Sequence, residues 1–364
     1  MKIALVILHA DPTRGGAERY TVDLAAALAE RGHDISFLAT SFAHIPEGPT
    51  QVLINGKALT RWGQYRRMLD SLDAHFDRTR YDIIHAMFPV HKCDIYHPHS
   101  GLMSAAVQED PLSAFFTPRR PAMRRVEDQL LFAPHPPRVL CLSQYVKQSV
   151  RKHYPLDDAH LPILFNAVDT NRFDGQRPPR PPREQIIALM IAQDFDRKGL
   201  REAILALKQT TEPKLVLRVV GKQPTTTYRR LAEREGIADR VQFAGPTNDP
   251  VSEYRNADFF VLPTRHDPCS LVVLEALAMG LPVISTRFNG ACEIMTDGQH
   301  GYVLDNPSDI SALALAMQKL TDASLRQSIS AACLELRPQL SYETHLDRLM
   351  QIYQQIAVQS GRSR

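Results

Sequence analysis

The sequence predicts an α/β protein built from two doubly wound domains, and three observations carry that prediction. Short apolar runs with the length and composition of buried parallel strands alternate with helix-forming stretches along most of the chain. At 364 residues the chain exceeds what one ordinary core supports. The alternation is interrupted by a stiff, extended stretch, Arg-Pro-Pro-Arg-Pro-Pro-Arg at residues 177–183, and then begins again, so this stretch is the expected linker.

In the first half, residues 2–8 read as a buried strand, and His-Ala-Asp-Pro-Thr-Arg-Gly-Gly follows as a loop. Residues 17–31 read as a helix, with Val22, Leu24, Ala25, Leu28 and Ala29 at helical spacing and Gly32 as its stop. Residues 35–38 supply a second strand, which completes a doubly wound opening. The G-x-G-x-x-G fingerprint is missing, so no dinucleotide cofactor is indicated. Gly15-Gly16 at the helix start either lets the backbone approach an anion or a sugar, or makes a plain tight turn.

Residues 81–87 read as another strand, and Cys-Asp-Ile-Tyr-His-Pro-His-Ser-Gly follows it from Cys93. His97 and His99 cannot share one helix face, so a helical metal site is not expected. On a loop after a strand they either sit where such folds place ligands or are surface histidines. Residues 113–132 are the most basic stretch: Arg119, Arg120, Arg124 and Arg125 lie among Phe115, Phe116, Met123, Leu130 and Leu131. That mixture suits an anionic membrane surface, an acidic acceptor, or an ordinary helix with a solvated face. No nucleic-acid motif accompanies it, so nucleic acid is not an expected partner. Residues 138–142 read as a strand, Ser143 as the N-cap of a helix over Gln144–His153, and Asn-Ala-Val-Asp from Asn166 closes the half.

The second half repeats the pattern: a strand at residues 185–192, a helix over Leu200–Gln209, a strand at Leu215–Val220, a helix at residues 228–235 and a strand at 241–243. Arg197 and Lys198 fall on the loop between the first strand and its helix, where two cations beside a helix N-terminus suit a doubly charged phosphate group. Residues 259–262 read as a buried strand. Asp267-Pro268 carries the signature of an N-cap followed by a first helical proline, ahead of a helix at residues 271–279 closed by Gly280. Glu275 is a lone carboxylate on this apolar helix. A ligand hydroxyl or a distant side chain must satisfy it, because an unpaired buried carboxylate costs several kcal/mol.

Composition narrows the class without choosing a partner. Lys and Arg number 43 against 40 Asp and Glu, a net charge of +3. The odd five cysteines, Cys93, Cys141, Cys269, Cys292 and Cys333, lack metal-binding spacing and suit free thiols in a reducing compartment. The N-terminus does not read as a signal peptide, and no run approaches the ~20 apolar residues of a membrane span. A soluble protein, at most attached to a membrane surface, is expected.

The ordered stretches N-A-V-D-x-x-R-F, D-F-D-R-K-G, L-R-V-V-G, V-Q-F-A-G and D-P-C-S-L-V-V-L-E-A-L-A-M-G-L-P-V-I resemble retaining glycosyltransferases of family 4. D-F-D-R-K-G-L-R-E-A-I-L-A-L and the basic 113–132 stretch are most similar to the lipopolysaccharide core glucosyltransferases. The resemblance implies a GT-B fold: two doubly wound, Rossmann-like domains facing across a cleft. These are an acceptor-side domain (residues 1–170), a nucleotide-sugar domain (171–344) and a last helix (345–364) returning to the first. It implies that Arg197 and Lys198 neutralise the donor diphosphate with help from the amides of Ser270 and Leu271. Glu275 would accept the ribose hydroxyls, and Gly15 and Gly16 would approach the donor phosphates and acceptor. His99, or else His97, would lie near the transferred sugar. The implied chemistry is retaining transfer of a hexosyl group, glucose from UDP-glucose as the first expectation, to a lipopolysaccharide-core-like or other glycan or lipid-linked acceptor. The UDP-sugar is the donor substrate; no cofactor and no metal ligand are implied. The place of work would be the cytoplasm or the inner face of its membrane.

Two departures stand out. The family spacing is Glu, seven residues, Glu, whereas the first position here is Asp267, whose carboxylate reaches about 1.5 Å less far. It would either hold a donor-sugar hydroxyl or cap the helix. Ser100 occupies a position where the core glucosyltransferases carry an aspartate. Two other functions fit the same motifs: a family 4 transferase with an exopolysaccharide or small-molecule acceptor, and a non-catalytic nucleotide-sugar-binding protein.

Overall fold

A computed structural model describes residues 1–99, 101–109, 119–176 and 185–359. The chain divides into two compact units, one comprising Met1–Phe165 with the chain from His345 onward, the other Asn166–Thr344. The linker read at residues 177–183 lies outside the described residues. The division falls before it, because the Asn-Ala-Val-Asp stretch is bonded into the second unit. Asn166 Nδ2 donates to the Cys269 carbonyl at 2.8 Å, and the Val168 amide donates to the Leu340 carbonyl at 2.8 Å. Arg337 grips the Thr170 carbonyl at 2.7 Å, and Arg255 pairs with Asp174 at 2.9 Å.

The first unit holds six parallel strands: β1 (Lys2–Val6), β2 (Asp34–Ala39), β3 (Thr50–Leu53), β4 (Ile83–Ala86), β5 (Ile95–Tyr96) and β6 (Arg138–Val139). Their order is β3-β2-β1-β4-β5-β6. β1 lies centrally with Ile3, Ala4, Leu5 and Val6 wholly buried, as expected of a strand covered on both faces. The helix over Gly16–Glu30 buries Tyr20, Val22, Leu24, Ala25 and Leu28 against one face. That face is completed by the helix over Tyr342–Gln359, whose Leu346, Leu349, Tyr353 and Ile356 form one stripe in the same core. Each such side chain contributes about 1.5–3 kcal/mol by burial.

Two further elements of this unit were not evident in the sequence. β3 is an edge strand with three of its four residues exposed, so it lacks an apolar run. The helix over Arg61–Arg78 buries only Tyr65, Met68, Leu69 and Leu72, a stripe hidden among polar residues, and Thr60 caps it by accepting from the Gly63 amide at 3.0 Å. A further helix, Arg119–Leu131, carries fully buried Glu127. Glu127 accepts from the hydroxyls of Tyr96 (2.6 Å) and Tyr154 (3.0 Å) and from the amides of Met103 (2.9 Å) and Ser104 (2.8 Å). It thereby fixes the start of the helix over Met103–Glu109.

The second unit repeats the plan with β7 (Ile186–Ile191), β8 (Leu215–Val220), β9 (Val241–Gly245), β10 (Phe259–Val261), β11 (Val283–Thr286) and β12 (Gly301–Leu304). The order β12-β11-β10-β7-β8-β9 is parallel throughout. Counted within its own unit, this is the same order as in the first. Each sheet therefore reverses its winding once, between β1 and β4 and between β7 and β10. Ligands in such sheets bind beyond the strands' carboxyl ends at that reversal.

Candidate active site

In the second unit both expected cations lie on the loop leaving β7, which is bonded to the loop leaving β10, the Arg265 amide donating to the Arg197 carbonyl at 2.9 Å. After β7 the chain turns tightly: the Arg197 amide donates to Asp194 Oδ1 at 3.2 Å and the Lys198 amide to the Asp194 carbonyl at 3.0 Å. Gly199 ends the turn at φ +79°, and a Cβ there would lie 2.3 Å from the Pro263 carbonyl oxygen. Only glycine fits where this loop meets the one after β10, and the helix over Leu200–Gln209 starts at once.

Lys198 is 8% exposed, and its ammonium donates to Asp267 Oδ2. Burial lowers its pKa below the usual lysine value; Asp267 opposes that shift, and neighbouring Arg197 adds to it. Arg197 is more open: its guanidinium donates to the His266 carbonyl at 2.6 Å and meets Asp194 at 3.3 Å. Asp194-Phe195-Asp196 spells D-x-D, yet both carboxylates face arginines, Asp194 meeting Arg197 and Asp196 lying 3.6 Å from Arg265. Arg265 also pairs with buried Glu202 at 2.7 Å.

The N-cap reading of Asp267 is corrected. The helix over Leu271–Ala278 starts later, with Ser270 at the cap position. Asp267 instead joins a parallel bridge to Asn289, its amide donating to the Phe288 carbonyl at 2.8 Å and its carbonyl accepting from the Gly290 amide at 2.9 Å. That bridge extends the backbone at Asp267 and frees its side chain for Lys198. The Ser270 amide is also engaged, donating to Asn289 Oδ1 at 3.2 Å. The amide of Leu271 has no acceptor among the described residues. Glu275 does have a protein partner: the buried Tyr254 hydroxyl donates to its Oε2 at 2.7 Å and also lies 3.1 Å from the Val272 carbonyl. Burial first and the Glu275 charge second push the Tyr254 phenol well above its usual pKa.

In the first unit, Gly15 precedes the helix over Gly16–Glu30 in ordinary extended backbone, where an added Cβ would touch only the Glu18 carboxylate at 3.0 Å. The glycine is thus not required by torsion. The His99 ring packs against Tyr20 of that helix, centroids 4.3 Å apart and the planes tilted by 43°. His97 and His99 are buried, which corrects the surface-loop alternative. They belong to a cluster the sequence did not reveal. His97 Nδ1 meets His85 Nε2 at 3.1 Å, His85 Nδ1 meets the Tyr353 hydroxyl at 2.7 Å, and His345 Nε2 meets the Tyr20 hydroxyl at 2.8 Å. The Nε2 atoms of both His97 and His99 are buried without a hydrogen-bond partner among the described residues. Burial, with neighbouring imidazoles second, holds His85 and His99 down to about 3 and His97 well below the usual value. Burial takes His345 to about 4.

The basic stretch is only in part what its composition suggests. Ser100, Phe115 and Phe116 lie outside the described residues. Met123, Leu130 and Leu131 are buried in the protein, so they offer no apolar face to a membrane. Arg119 and Arg120 begin the helix; Arg124 and Arg125 are exposed, and Arg124 lies 3.6 Å from Asp128. No described helix is long and apolar enough to cross a membrane.

Two Rossmann-like units of one topology, the second with paired cations beside a helix start at its winding reversal, define a GT-B glycosyltransferase, and the chain belongs to that class. The family model described as Glycosyltransferase Family 4 matches residues 14–172, and that described as Glycosyl transferases group 1 matches residues 172–333. Among relatives, D-inositol 3-phosphate glycosyltransferase of Thermobifida fusca is 26% identical, covering 97% of this chain and 93% of its own. Lipopolysaccharide glucosyltransferase WaaG of Escherichia coli is 23% identical over 86% of this chain and 88% of its own. A crystal structure of WaaG shares the fold at TM-score 0.80, with 22% identity over 92% of this chain and 95% of that one. HepE of Anabaena, crystallised with UDP-glucose, does so at 0.71 with 18% identity, covering both chains completely.

Proposed function

We propose that this glycosyltransferase moves a hexosyl group, glucose from UDP-glucose first among candidates, to a lipopolysaccharide-core-like or other lipid-linked glycan with retention of configuration. The observation that carries the reading is the pairing of Arg197 with buried Lys198 on the loop after β7, beside the start of the Leu271–Ala278 helix. As the bond from the anomeric carbon to the diphosphate oxygen breaks and the bond to the acceptor oxygen forms, charge builds on the diphosphate, whose departing oxygen takes up the acceptor hydroxyl's proton. Arg197, Lys198 and the Leu271 amide are the groups to stabilise it, without a metal ion. Glu275, oriented by Tyr254, accepts from the ribose hydroxyls. In the first unit, Gly15 and Gly16 leave room for the donor phosphates and acceptor, and His99 offers its unpartnered Nε2 to the sugar. Asp267 acts chiefly through Lys198 in this reading. The WaaG relative supports the acceptor class, and HepE with UDP-glucose supports the donor. The proposed place of work is the cytoplasm or the inner face of its membrane.

The Thermobifida fusca relative favours a second acceptor reading, a soluble cyclitol phosphate or another small molecule. A screen of UDP- and GDP-sugars for hydrolysis and thermal stabilisation, followed by transfer to lipid-linked and soluble acceptors, separates the readings. Stabilisation by UDP-glucose that is lost in Lys198→Ala is expected. Turnover that survives Lys198→Ala would overturn the proposed site, and binding without turnover on any donor would overturn the enzyme.

A further inference from the structure

We propose that the surface formed by the end of β3, the loop after it and the start of the Arg61–Arg78 helix docks on an anionic lipid bilayer. Three large apolar side chains stand in solvent there within one short segment: Leu53 at 70% exposure, Leu59 at 105% and Trp62 at 43%. Folding does hold this segment in place. Ile54 is buried with its amide donating to the Ala39 carbonyl at 2.8 Å, and Gln64 Nε2 donates to the Ala58 carbonyl at 3.1 Å. Ser71 Oγ reaches the Asn55 carbonyl at 3.1 Å. The loop therefore lies along the first turns of the helix, whose Tyr65, Met68 and Leu69 face inward while Leu59 and Trp62 remain outside.

Charge identifies the occupant. Lys57, Arg61, Arg66 and Arg67 are all exposed, and none has an ion-pair partner among the described residues. From Thr50 to Leu69 there is no carboxylate, so this segment carries four positive charges in a chain whose net charge is +3. Arg66 lies over the Trp62 ring at 5.6 Å, an apolar body with a cationic tip. Isolated apolar points within a cationic field match a bilayer interface, where indole and leucine enter the headgroup boundary and cations meet anionic lipids. A two-fold pairing of copies through this patch would set its four cations against four others, which is unfavourable. Docking is independent of the proposed transfer reaction and stands or falls without it.

Trp62 is the chain's only tryptophan, so its emission reports on the patch directly. The intact protein is titrated with phosphatidylglycerol–phosphatidylcholine vesicles and with phosphatidylcholine vesicles alone. The expected result is a blue shift and cosedimentation with the anionic vesicles only, weakened by salt. The double variant Arg66→Glu, Arg67→Glu lowers partitioning by about 25-fold or more, at about fivefold per lost cation. Leu59→Asn lowers it independently, and Arg124→Glu with Arg125→Glu leaves it unchanged. All of these side chains are exposed, and unchanged melting curves check the fold. Three results would overturn the proposal. One is no emission shift with anionic vesicles. Another is loss of binding on changing Arg124 and Arg125 instead. The third is a blue shift without vesicles that grows with protein concentration, the mark of a second copy.

Discussion

Lys198 and Asp267 form a buried ion pair that ties the loop after β7 to the loop after β10. Removing the carboxylate strands a desolvated ammonium, a loss of about 3–5 kcal/mol for buried pairs. Asp267→Asn is expected to unfold at lower urea than the parent, whereas Asp267→Glu keeps the charge and loses less. UDP should raise the unfolding midpoint of Asp267→Asn more than that of the parent, since a diphosphate supplies the missing counter-charge. An equal rise in both would mean that Lys198 does not meet the diphosphate.

Glu275 and Tyr254 give a second test. A hydrogen bond to a charged group is worth about 1.5–3 kcal/mol, so Glu275→Gln should weaken UDP binding by about tenfold to a hundredfold in calorimetry. The same substitution should barely change binding of a 2′,3′-dideoxy UDP analogue, which lacks the hydroxyls Glu275 is proposed to hold. Tyr254→Phe leaves the carboxylate charged but less well oriented, and a smaller loss is expected.

The buried histidines make the first unit sensitive to acid. The pKa of His85 and His99 is about 3 and that of His345 about 4, against 6.5 for an exposed histidine. Between those values the unfolded chain binds more protons than the folded one, so stability is intact above about 6.5 and falls as pH drops toward the folded values. Each such histidine costs about 2 kcal/mol by pH 5. Urea midpoints measured from pH 7 to 5 should decline, and His85→Asn should flatten the decline; a flat parent curve contradicts the cluster.

Glu127 accepts four hydrogen bonds from three separate segments. Glu127→Ala takes the shared acceptor from the Tyr96 hydroxyl and the amides of Met103 and Ser104, while the Tyr154 hydroxyl keeps Asp128 Oδ1 at 2.7 Å; the cost is about 3 kcal/mol or more. A clear drop in melting temperature is expected, and an unchanged one would show that water replaces the carboxylate.

Local pattern decided how much of this was legible in advance. The helix over Leu200–Gln209 and the strand β8 were read to the residue, because caps and apolar runs act over a few positions. The cap alternative for Asp267 fails for the same reason: Asp-Pro is a sound local cap signal, but a bridge to Asn289 outweighs it, and nothing local announces that bridge. Tyr254 and Glu275 lie on different helices, and His85 meets Tyr353 from nearly the other end of the chain. The cations Arg197 and Lys198 were legible because the strand-loop-helix order alone sets them at the sheet's carboxyl edge. Leu59 and Trp62 carried no periodic signal, since their meaning lies in what the fold leaves uncovered.

The helix over Tyr342–Gln359 also orders events during synthesis. The second unit is continuous and can close once Thr344 has emerged. The first unit has its sheet early but waits for Leu346, Leu349 and Tyr353 to seal one face, and for His345 and Tyr353 to complete the histidine cluster. At typical translation speeds that wait lasts on the order of ten to forty seconds. The half made first is therefore finished last, and its open face is the stretch a nascent chain must shield from aggregation.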